Sequence, residues 1–366
     1  MSEAAAPDVS FVVPTYREEE NLPHLVEHVR TGLAASGLSW ELIIANDESG
    51  DGTERVCAEL AKNDPVRLLN RTRDRGLALA VIDGAKLARG TYVVVMDGDL
   101  SHPSTAVPQM AEILKRDAAV KMVVGSRNVA DASTDAGWPI VRHLATFVAT
   151  SLARPLTSMR DPMSGFFMLR RADWPAGELR PIGYKIGLEI AVRCGFGRGA
   201  IAEVPIHFTD RQHGKSKMSL RELHNYGRHV LNLYRFRWPA FRILMQGGIG
   251  AIGYFVDLAG FFLLQAGGLG HLAARLVSYW PANLCTWWLN RVYTYDDRPR
   301  RRAGPQFALF AALTLAGFGI NALVYYLLTA HVAFFDAHKP LAILAGVLAG
   351  FALNYVCSNR LIFRRL

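Results

Sequence analysis

Short apolar runs alternate with amphipathic segments between residue 8 and about residue 210. The runs VSFVVPTY, WELIIANDES, YVVVMDGD, VKMVVGSR and AIAEVPIHF are strand-like, whereas EEENLPHLVEHVRTGLAA and GTERVCAELAKN have helical spacing and acidic first turns. Strands that are apolar on both faces and separated by helices favour a mostly parallel sheet covered on both sides. The pattern predicts an α/β domain that binds its ligands beyond the carboxyl ends of the strands.

The pattern changes near residue 243, where the first of four long apolar stretches begins. These stretches cover residues 243–266, 272–289, 307–330 and 341–356. Each has close to the roughly 20 residues that a helix needs to cross about 30 Å of hydrocarbon. We therefore predict that the α/β domain is followed by an all-α domain of four transmembrane helices.

This second region contains an internal repeat. WWLNRVYTY at 287–295 parallels VCSNRLIFR at 356–364, and GYFVDLAGFFLL at 253–264 parallels GFGINALVYYLL at 317–328. The repeat predicts a duplicated helical hairpin with Asp257 and Asn321 at equivalent positions. An ionisable residue inside a membrane indicates a functional site, and a hydrogen bond that joins two helices is the alternative.

The charge is divided in the same way as the hydrophobicity. Residues 211–366 hold 18 Lys or Arg against 5 Asp or Glu, so the net charge of +9 comes from this part of the chain. The arginines cluster beside the ends of the apolar stretches, which argues against a nucleic-acid partner. By the positive-inside rule, the N-terminal domain, the central loop and the C-terminus face the cytoplasm of a multi-pass protein of the cell membrane.

Several familiar signatures are missing from the sequence. The segment GFGRG at 195–199 has the wrong spacing for a dinucleotide-binding fingerprint, and no Walker A sequence occurs. The four cysteines are scattered without a C-x-x-C pair, so neither a zinc site nor a disulfide framework is indicated. The N-terminus has no basic stretch followed by an apolar core, so we expect no export signal.

Two carboxylates, Asp97 and Asp99, stand one position apart directly after the apolar run YVVV. Alternate side chains of an extended segment project to the same side, so these two repel each other unless a cation lies between them. Hard oxygen ligands suit Mg²⁺ or Mn²⁺ that is carried with a diphosphate. A solvated turn after a strand is the alternative interpretation.

Eight segments together resemble the family 2 GT-A glycosyltransferases that act on polyprenyl phosphates, most closely the dolichol-phosphate mannose synthases. The segments are VVPTYREEENL, NDESGDGT, RDRGLALAVIDGAKLARG, VMDGDLSHP, GSR, DPMSGFF, GYKIGLEI and EVPIHFTDRQHGKSK. The likeness covers roughly residues 8–235, and the helices beyond it are similar to GtrA-like domains. It implies a GT-A, Rossmann-like domain at 1–215, interfacial amphipathic helices at 216–242 and a GtrA-like membrane domain at 243–366.

The resemblance implies roles at the donor end of the reaction. Asp97 and Asp99 are catalytic and hold Mg²⁺ or Mn²⁺, and Ser101 stands where similar enzymes often have a Gln that contacts the metal. The implied donor-binding residues are Pro14, Tyr16, Glu18, Asp47 and Asp97. The chain departs from the family pattern at Arg17, where Asn is usual, and at Asn46, where Asp is more common.

The acceptor implied by the resemblance is a lipid phosphate, which is already ionised at pH 7 and needs no general base. It needs cations that hold the phosphate near the anomeric carbon, and the planar fork of arginine suits this task. The implied acceptor-binding residues are Arg127, Arg142, Thr146, Arg211 and Lys215, of which Arg211 is also catalytic. Segments 140–156 and 219–242 are expected to meet the lipid, with core packing and a simple linker as the respective alternatives.

These observations lead to one main functional prediction and to alternatives from other classes. The main prediction is a metal-dependent, inverting transfer of mannose from GDP-mannose to dolichyl or another polyprenyl phosphate. The alternatives are transfer of glucose from UDP-glucose, or a lipid-linked sugar flippase with a soluble domain that only binds. A processive polysaccharide synthase is disfavoured because its Q-x-x-R-W segment is missing.

Overall fold

The computed structural model describes residues 6–134, 140–175, 177, 179–208 and 220–364, with the backbone alone at 134, 140–143 and 220. It contains two compact units, Met1–Arg237 and Trp238–Leu366. The first unit is the α/β domain, and the second unit is entirely helical where it is described.

A seven-stranded sheet forms the centre of the first unit. Its strands are β1 Val9–Thr15, β2 Trp40–Asn46, β3 Val66–Asn70, β4 Tyr92–Val95, β5 Met122–Ser126, β7 Phe167–Arg170 and β8 Ile201–Pro205. The strand order is β3-β2-β1-β4-β7-β5-β8, and only β7 runs antiparallel to its neighbours. Two short strands, β6 Ser133–Thr134 and β9 His207–Phe208, pair separately. The prediction of a mostly parallel sheet is confirmed.

Seven helices belong to the described part of the first unit. They are α1 Leu22–Leu33, α2 Thr53–Leu60, α3 Leu77–Leu87, α4 Val107–Arg116, α5 Ile140–Ala153, α6 Ile186–Arg193 and α7 Leu220–Arg237. The sheet has an apolar core on each face, which explains why its strands are apolar at successive positions. Phe11 and Val13 of β1 pack on one side, and Val12 between them packs on the other side.

Helices α5 and α7 form a smaller apolar cluster with α6. Tyr226 and Leu233 of α7 are buried in this cluster with Ala149 and Ala153 of α5, and the Tyr226 hydroxyl donates to the Ala149 carbonyl at 2.7 Å. The opposite face of α5 is apolar and exposed, including Phe147 at 65% exposure. Both helices are therefore amphipathic, and α7 packs on the α/β domain.

The second unit contains four long helices and one short one. They are α8 Phe241–Ala266, α9 His271–Leu289, α10 Ala303–His331, α11 Ala333–Ala337 and α12 Lys339–Cys357. Within the described residues, α8, α10 and α12 with its continuation to Ile362 are long and apolar enough to cross a membrane. The predicted span at 272–289 forms a helix, but this helix is not apolar enough to count as a membrane span, since it includes Arg275 and several other polar residues. Four spans were predicted, and three are supported.

The structure shows that the two hairpins of this unit are built alike. Helix α8 packs on α9, and α10 packs on α12. A short π-helix ends each hairpin, Asn290–Thr294 after α9 and Ser358–Ile362 after α12. The residues that follow these two turns, Tyr295 and Phe363, stack on each other with ring centres 4.4 Å apart.

Candidate active site

A cavity of about 820 Å³ lies at the carboxyl edge of the seven-stranded sheet. Strands β1, β2, β4 and β5 end at this edge, and β7 begins there because it runs in the opposite direction. The cavity brings together most of the predicted site residues, namely Pro14, Tyr16, Glu18, Asp47, Asp97, Asp99, Arg127 and Thr146. The residues that were predicted from the strand ends therefore lie together in one cavity at this edge.

Backbone strain is concentrated at the same edge. Among the described non-glycine residues, a positive φ occurs at Arg17, Glu48, Asp74, Leu100 and Asp131. Each of these residues lies in the loop that follows one of the strands β1 to β5. Such conformations persist only where the surrounding structure holds them, and they cluster at functional sites. Leu100 lies directly after Asp99, so the loop that carries the two carboxylates is itself strained.

The loop after β4 presents Asp97 and Asp99 to the cavity. The Asp99 carboxylate accepts from the Ser101 amide at 3.2 Å, and the Asp97 amide donates to Nδ1 of His102 at 3.1 Å. His102 is buried, and its ring stacks on Phe166 with centres 5.2 Å apart. Burial lowers the pKa of His102, although the charges of the two aspartates act in the opposite direction. His102 therefore supports the loop as a neutral ring with Nδ1 as an acceptor.

Ser101, the third predicted metal contact, is not among the residues that line the cavity. Its side chain is 1% exposed, and its hydroxyl has no hydrogen-bond partner among the residues that the structure describes. Gly165 instead faces Asp97 across the cavity. A Cβ on Gly165 would lie 3.5 Å from both carboxylate oxygens of Asp97, so a glycine at this position keeps the space beside the carboxylate open.

On the β2 side of the cavity, Asp47 is held by the segment that follows β3. Its carboxylate forms an ion pair with the buried Arg71 and accepts from the Gly76 amide at 2.6 Å. The Arg71 guanidinium also donates to Asp83 at 2.9 Å and to the Asp74 carbonyl at 2.8 Å. Asp47 therefore lines the cavity and at the same time fixes the loop between Arg71 and Gly76.

Arg127, a predicted acceptor ligand, is held by a buried carboxylate. Its Nε and Nη2 donate to the two oxygens of Asp161 at 2.7 and 2.9 Å, and its amide donates to the same carboxylate at 3.1 Å. Asp161 is completely buried. Burial would raise the pKa of Asp161, but the hydrogen bonds and the charge of Arg127 hold that pKa below its usual value. Arg127 reaches the cavity with its orientation already set by this bidentate pair.

Lys185, immediately before α6, lies in the cavity close to this pair. Its ammonium donates to the Met163 carbonyl and lies 4.4 Å from the ring centre of Tyr184. Burial lowers the pKa of Lys185 to about 8, and the charge of Arg127 contributes in the same direction. The charges of Asp97 and Asp161 partly oppose this shift, so Lys185 lies among charges from both ends of the cavity.

Helix α7 supplies a further polar part of the cavity lining through Arg221, Glu222, Asn225 and Arg228. With these residues the lining is divided by charge. The part beyond β1, β2, β3 and β4 carries four carboxylates, Glu18, Asp47, Asp97 and Asp99, against one cation, Arg75. The part beyond β5 and along α6 and α7 carries four cations, Arg127, Lys185, Arg221 and Arg228, against one carboxylate, Glu222. A single cavity therefore joins an acidic end to a basic end.

Some of the predicted site residues lie outside what the structure describes. Arg211 and Lys215 belong to the segment between 208 and 220, and the side chain of Arg142 is also outside the described part. The sequence analysis in turn missed Arg71, Asp161 and Lys185. Each of them lies in a segment that carries the family resemblance or directly beside one, at NRTRDRG, DPMSGFF and GYKIGLEI. The available signal was thus a charged residue next to a glycine-containing turn.

Comparison with known families gives two matches. Residues 10–174 match the family described as Glycosyl transferase family 2. Residues 247–363 match the GtrA/DPMS transmembrane domain. The two matches fall in the two compact units of the structure.

Curated relatives and solved structures are similar to the same regions. A dolichol-phosphate mannosyltransferase of Pyrococcus furiosus is 31% identical over 355 residues, which cover 96% of this chain and 98% of the relative. One of Mycosarcoma maydis is 38% identical over 65% of this chain and 82% of its own length. Glucosyl-3-phosphoglycerate synthase from Mycobacterium tuberculosis shares 23% identity with a TM-score of 0.46, over 64% of this chain and 80% of that chain. Mannosyl-3-phosphoglycerate synthase from Rubrobacter xylanophilus shares 18% with a TM-score of 0.48, over 63% and 74%.

Proposed function

Because this chain belongs to the family 2 glycosyltransferases and carries a GtrA/DPMS transmembrane domain, we propose that it transfers mannose from GDP-mannose to dolichyl or another polyprenyl phosphate. The observation that carries the proposal is the cavity with one acidic and one basic end. A sugar nucleotide with its metal suits the acidic end, and an anionic acceptor suits the basic end. The names of the curated relatives support mannose and dolichyl phosphate as the sugar and the acceptor.

The acidic end fits a divalent metal that arrives with the donor. Asp97 and Asp99 offer two carboxylates, and Gly165 leaves open space beside the oxygens of Asp97. In the described part of the chain, no group of three or more His, Cys, Asp or Glu side chains could hold a metal. Mg²⁺ and Mn²⁺ suit such a site, because Mg²⁺ commonly uses one or two protein carboxylates and takes its other ligands from substrate phosphates and water. When bound, the ion would neutralise charge on the departing nucleoside diphosphate.

The residues of the chain position the donor around this site. His102 accepts a hydrogen bond from the backbone amide of Asp97, and the strained residue Leu100 lies directly after Asp99 in the same loop. Pro14, Tyr16 and Glu18 line the side that belongs to β1. Asp47, fixed by Arg71, lines the side that belongs to β2 and holds the loop to Gly76, which we propose covers the nucleoside.

The basic end positions the acceptor for direct attack. An oxygen of the lipid phosphate forms a bond to the anomeric carbon while the bond from that carbon to the diphosphate breaks, which inverts the configuration. The attacking phosphate is ionised at neutral pH, so no protein base has to take a proton. Arg127 holds the phosphate through its preset guanidinium, and Thr146 lies on the same cavity wall. We assign Arg142, Arg211 and Lys215 to this acceptor site on the resemblance alone.

The helices of the second unit bear on how the chain is arranged in the membrane. Three helices of the second unit are long and apolar enough to cross a membrane, so the chain is a membrane protein. We propose that the catalytic domain, the loop after α9 and the C-terminus face the cytoplasm, which the arginines near the helix ends support. The functional division that we propose is 1–215 for catalysis, 216–242 for the membrane surface and 243–366 for the bilayer.

The test incubates the purified full-length protein and a polyprenyl phosphate with labelled GDP-mannose or UDP-glucose in separate reactions. We expect a mannosylated lipid phosphate that depends on Mg²⁺ or Mn²⁺. Asp99→Ala should abolish transfer without loss of the fold, because the residue lies at the edge of the sheet and its removal leaves no hole in the apolar core. Glu59→Gln is the matched control, since Glu59 is an exposed carboxylate that pairs with Lys62 on α2.

Two results would contradict the proposal. Transfer that continues at full rate in Asp99→Ala or in excess EDTA would exclude the metal site at Asp97 and Asp99. Transfer from UDP-glucose but not from GDP-mannose would favour the alternative donor.

A further inference from the structure

The cations that line the cavity differ in how their charge is balanced. Arg127 has a bidentate carboxylate partner in Asp161, and Arg75 pairs with Glu48. For Lys185, no described carboxylate oxygen lies within 4.0 Å of the ammonium, whose one hydrogen bond to a described residue goes to the Met163 carbonyl. An ammonium has three N–H donors, so Lys185 keeps donor capacity, and the carboxylates whose charge acts on it, Asp97 and Asp161, are not in direct contact with it.

A buried ammonium without a carboxylate in contact is costly for the free protein. Moving an ammonium out of water without an opposite charge is unfavourable, and the structure must compensate for it elsewhere. The ring of Tyr184 offsets a small part of this cost through its electron-rich face. A cost of this kind is expected at binding sites, where the missing opposite charge arrives with a ligand.

The location of Lys185 narrows down the kind of ligand. The charges that act on it are those of Asp97 at the acidic end and of Arg127 and Asp161 at the basic end. The ammonium thus lies at the junction where the two ends of the cavity meet. Under the proposed mechanism, the acceptor phosphate reaches the anomeric carbon at this junction.

We infer that Lys185 binds the acceptor phosphate directly and forms, with Arg127, a two-point site for a phosphate monoester. The inference rests on the proposed function for the identity of the acceptor as a lipid phosphate. Arg127 orients the phosphate through a guanidinium whose charge Asp161 already balances, and Lys185 supplies the attractive charge. The ammonium donates to an oxygen that does not attack, so the attacking oxygen keeps its nucleophilicity.

The donor diphosphate is a less suitable ligand for the same ammonium. A metal between Asp97, Asp99 and the diphosphate would already balance the charge of that group, and it would repel a further cation beside it. The acceptor phosphate has no metal of its own in this scheme. The cation that has no carboxylate in contact and the anion that has no metal of its own therefore suit each other.

The test measures binding of citronellyl phosphate, a short soluble isoprenyl phosphate, to the full-length protein in detergent by isothermal titration calorimetry. In Lys185→Met we expect binding to be about 10- to 100-fold weaker, as for the loss of a hydrogen bond between charged groups. Lys185→Arg, which keeps the charge, should recover a large part of the affinity. Lys62→Met is the control, because Lys62 is an exposed lysine that pairs with Glu59 on the surface.

A second ligand separates a binding role from a structural one. Citronellol has the same chain without the phosphate, so its affinity should be equal in the wild-type protein and in Lys185→Met. If Lys185→Met binds citronellyl phosphate as the wild type does, or if the wild type does not bind it, the inference is wrong. A fall in affinity for citronellol equal to that for the phosphate would also overturn it, since Lys185 would then only support the cavity.

The same variants keep this inference distinct from the proposed function. Mannose transfer that proceeds in a protein whose phosphate binding is insensitive to Lys185 would refute the inference and leave the function standing. Phosphate binding that depends on Lys185, in a protein that transfers no mannose, would support the inference and refute the function.

Discussion

Replacing Asp161 by Asn tests how the basic end of the cavity is built. The carboxylate of Asp161 accepts three hydrogen bonds from Arg127 and one from the Met163 amide at 3.2 Å. Asparagine has nearly the same shape, but it has one acceptor oxygen and no charge. Asp161→Asn therefore leaves the Arg127 guanidinium in place without an opposite charge.

The structure allows the cost to be estimated. Removing one partner of a buried ion pair destabilises a protein by about 3–5 kcal/mol. The side chain of Asp161 is 0% exposed and that of Arg127 is 15% exposed, so water can solvate part of the stranded guanidinium. We expect the free energy of unfolding to fall by an amount near the lower end of this range, about 3 kcal/mol. Glu59→Gln, in an exposed pair, should change the stability by less than about 1 kcal/mol.

The assay is pulse proteolysis of the full-length protein in detergent at increasing urea, with detection of the fragments from the first unit. The pH adds an independent check. A carboxyl group whose folded pKa lies below its unfolded value contributes stability above that unfolded value, near 3.9, and loses it as the pH falls through the folded pKa. The difference in the free energy of unfolding between the wild type and Asp161→Asn should thus be constant from pH 8 to pH 5 and should shrink below about pH 4.

A double mutant identifies the cause of the effect. If the loss of stability comes from the unpaired charge of Arg127, adding Arg127→Met to Asp161→Asn should restore part of the stability. Strictly additive losses, or a loss below about 1 kcal/mol in Asp161→Asn alone, would show that the pair does not hold the basic end together.

Two further predictions concern the donor end and the division of the chain. Arg71→Met frees Asp47 and the loop that ends at Gly76. Steady-state kinetics should therefore show a KM for GDP-mannose raised about tenfold, with the KM for the lipid phosphate unchanged. A change in the KM for the lipid phosphate alone would show that Asp47 does not belong to the donor site. A fragment that ends at Pro239, just past the boundary of the first unit, should still transfer mannose to citronellyl phosphate but use long lipids poorly in membranes. If the fragment folds and binds GDP-mannose yet transfers to no acceptor, the membrane unit belongs to the active site.

The sequence predicted five strands correctly from their mainly apolar runs. Strands β1, β2, β4, β5 and β8 each fall within a predicted segment. Strand β3 was missed because Arg67 interrupts its short apolar run at the edge of the sheet, where it pairs with Glu41. Strand β7 was missed because nothing in FMLR distinguishes a buried antiparallel strand from the loop before it. Its direction depends on the long connection from β5 through α5.

The candidate site was predictable to a similar degree and for a related reason. Residues that follow strand ends, such as Asp97 and Asp47, could be placed together because parallel strands bring their carboxyl ends to one edge. Asp161 and Lys185 could not, because the loop before the antiparallel β7 and the segment before α6 reach that edge only through tertiary packing. The sequence shows which residue types are present, but it does not show which arginine is already neutralised by a carboxylate.

The membrane unit shows how a repeat can be recognised while its register is misread. Matching the Asn-Arg pairs in the sequence aligns Asn290 with Asn359. The structure instead aligns Asn290 with Ser358, because each opens a π-helix and accepts from the amide five residues later at 2.9 Å. The sequence alignment was wrong by one residue, since it matched identical letters and could not detect the wider turn.

The corrected register gives the two hairpins comparable contacts and reveals where they differ. A Cβ on Gly253 would meet Thr286, and one on Gly317 would meet Asn354, so each hairpin has a glycine opposite a polar side chain. In the first hairpin Asp257 accepts from Ser278 at 2.6 Å and pairs with Arg275. In the second, Asn321 lies against glycines, and a Cβ on Gly346 would collide with its side-chain oxygen.

This difference has a physical consequence for the two copies. The glycines let α12 approach α10 closely and offer no side chain that could pair with a carboxylate, whereas Ser278 and Arg275 give the Asp257 carboxylate hydrogen bonds and an opposite charge. A buried acid in a membrane is expensive unless it is paired. The pairing of Asp257 therefore supports the interpretation that it joins α8 to α9, and the second hairpin achieves the same packing without a charge.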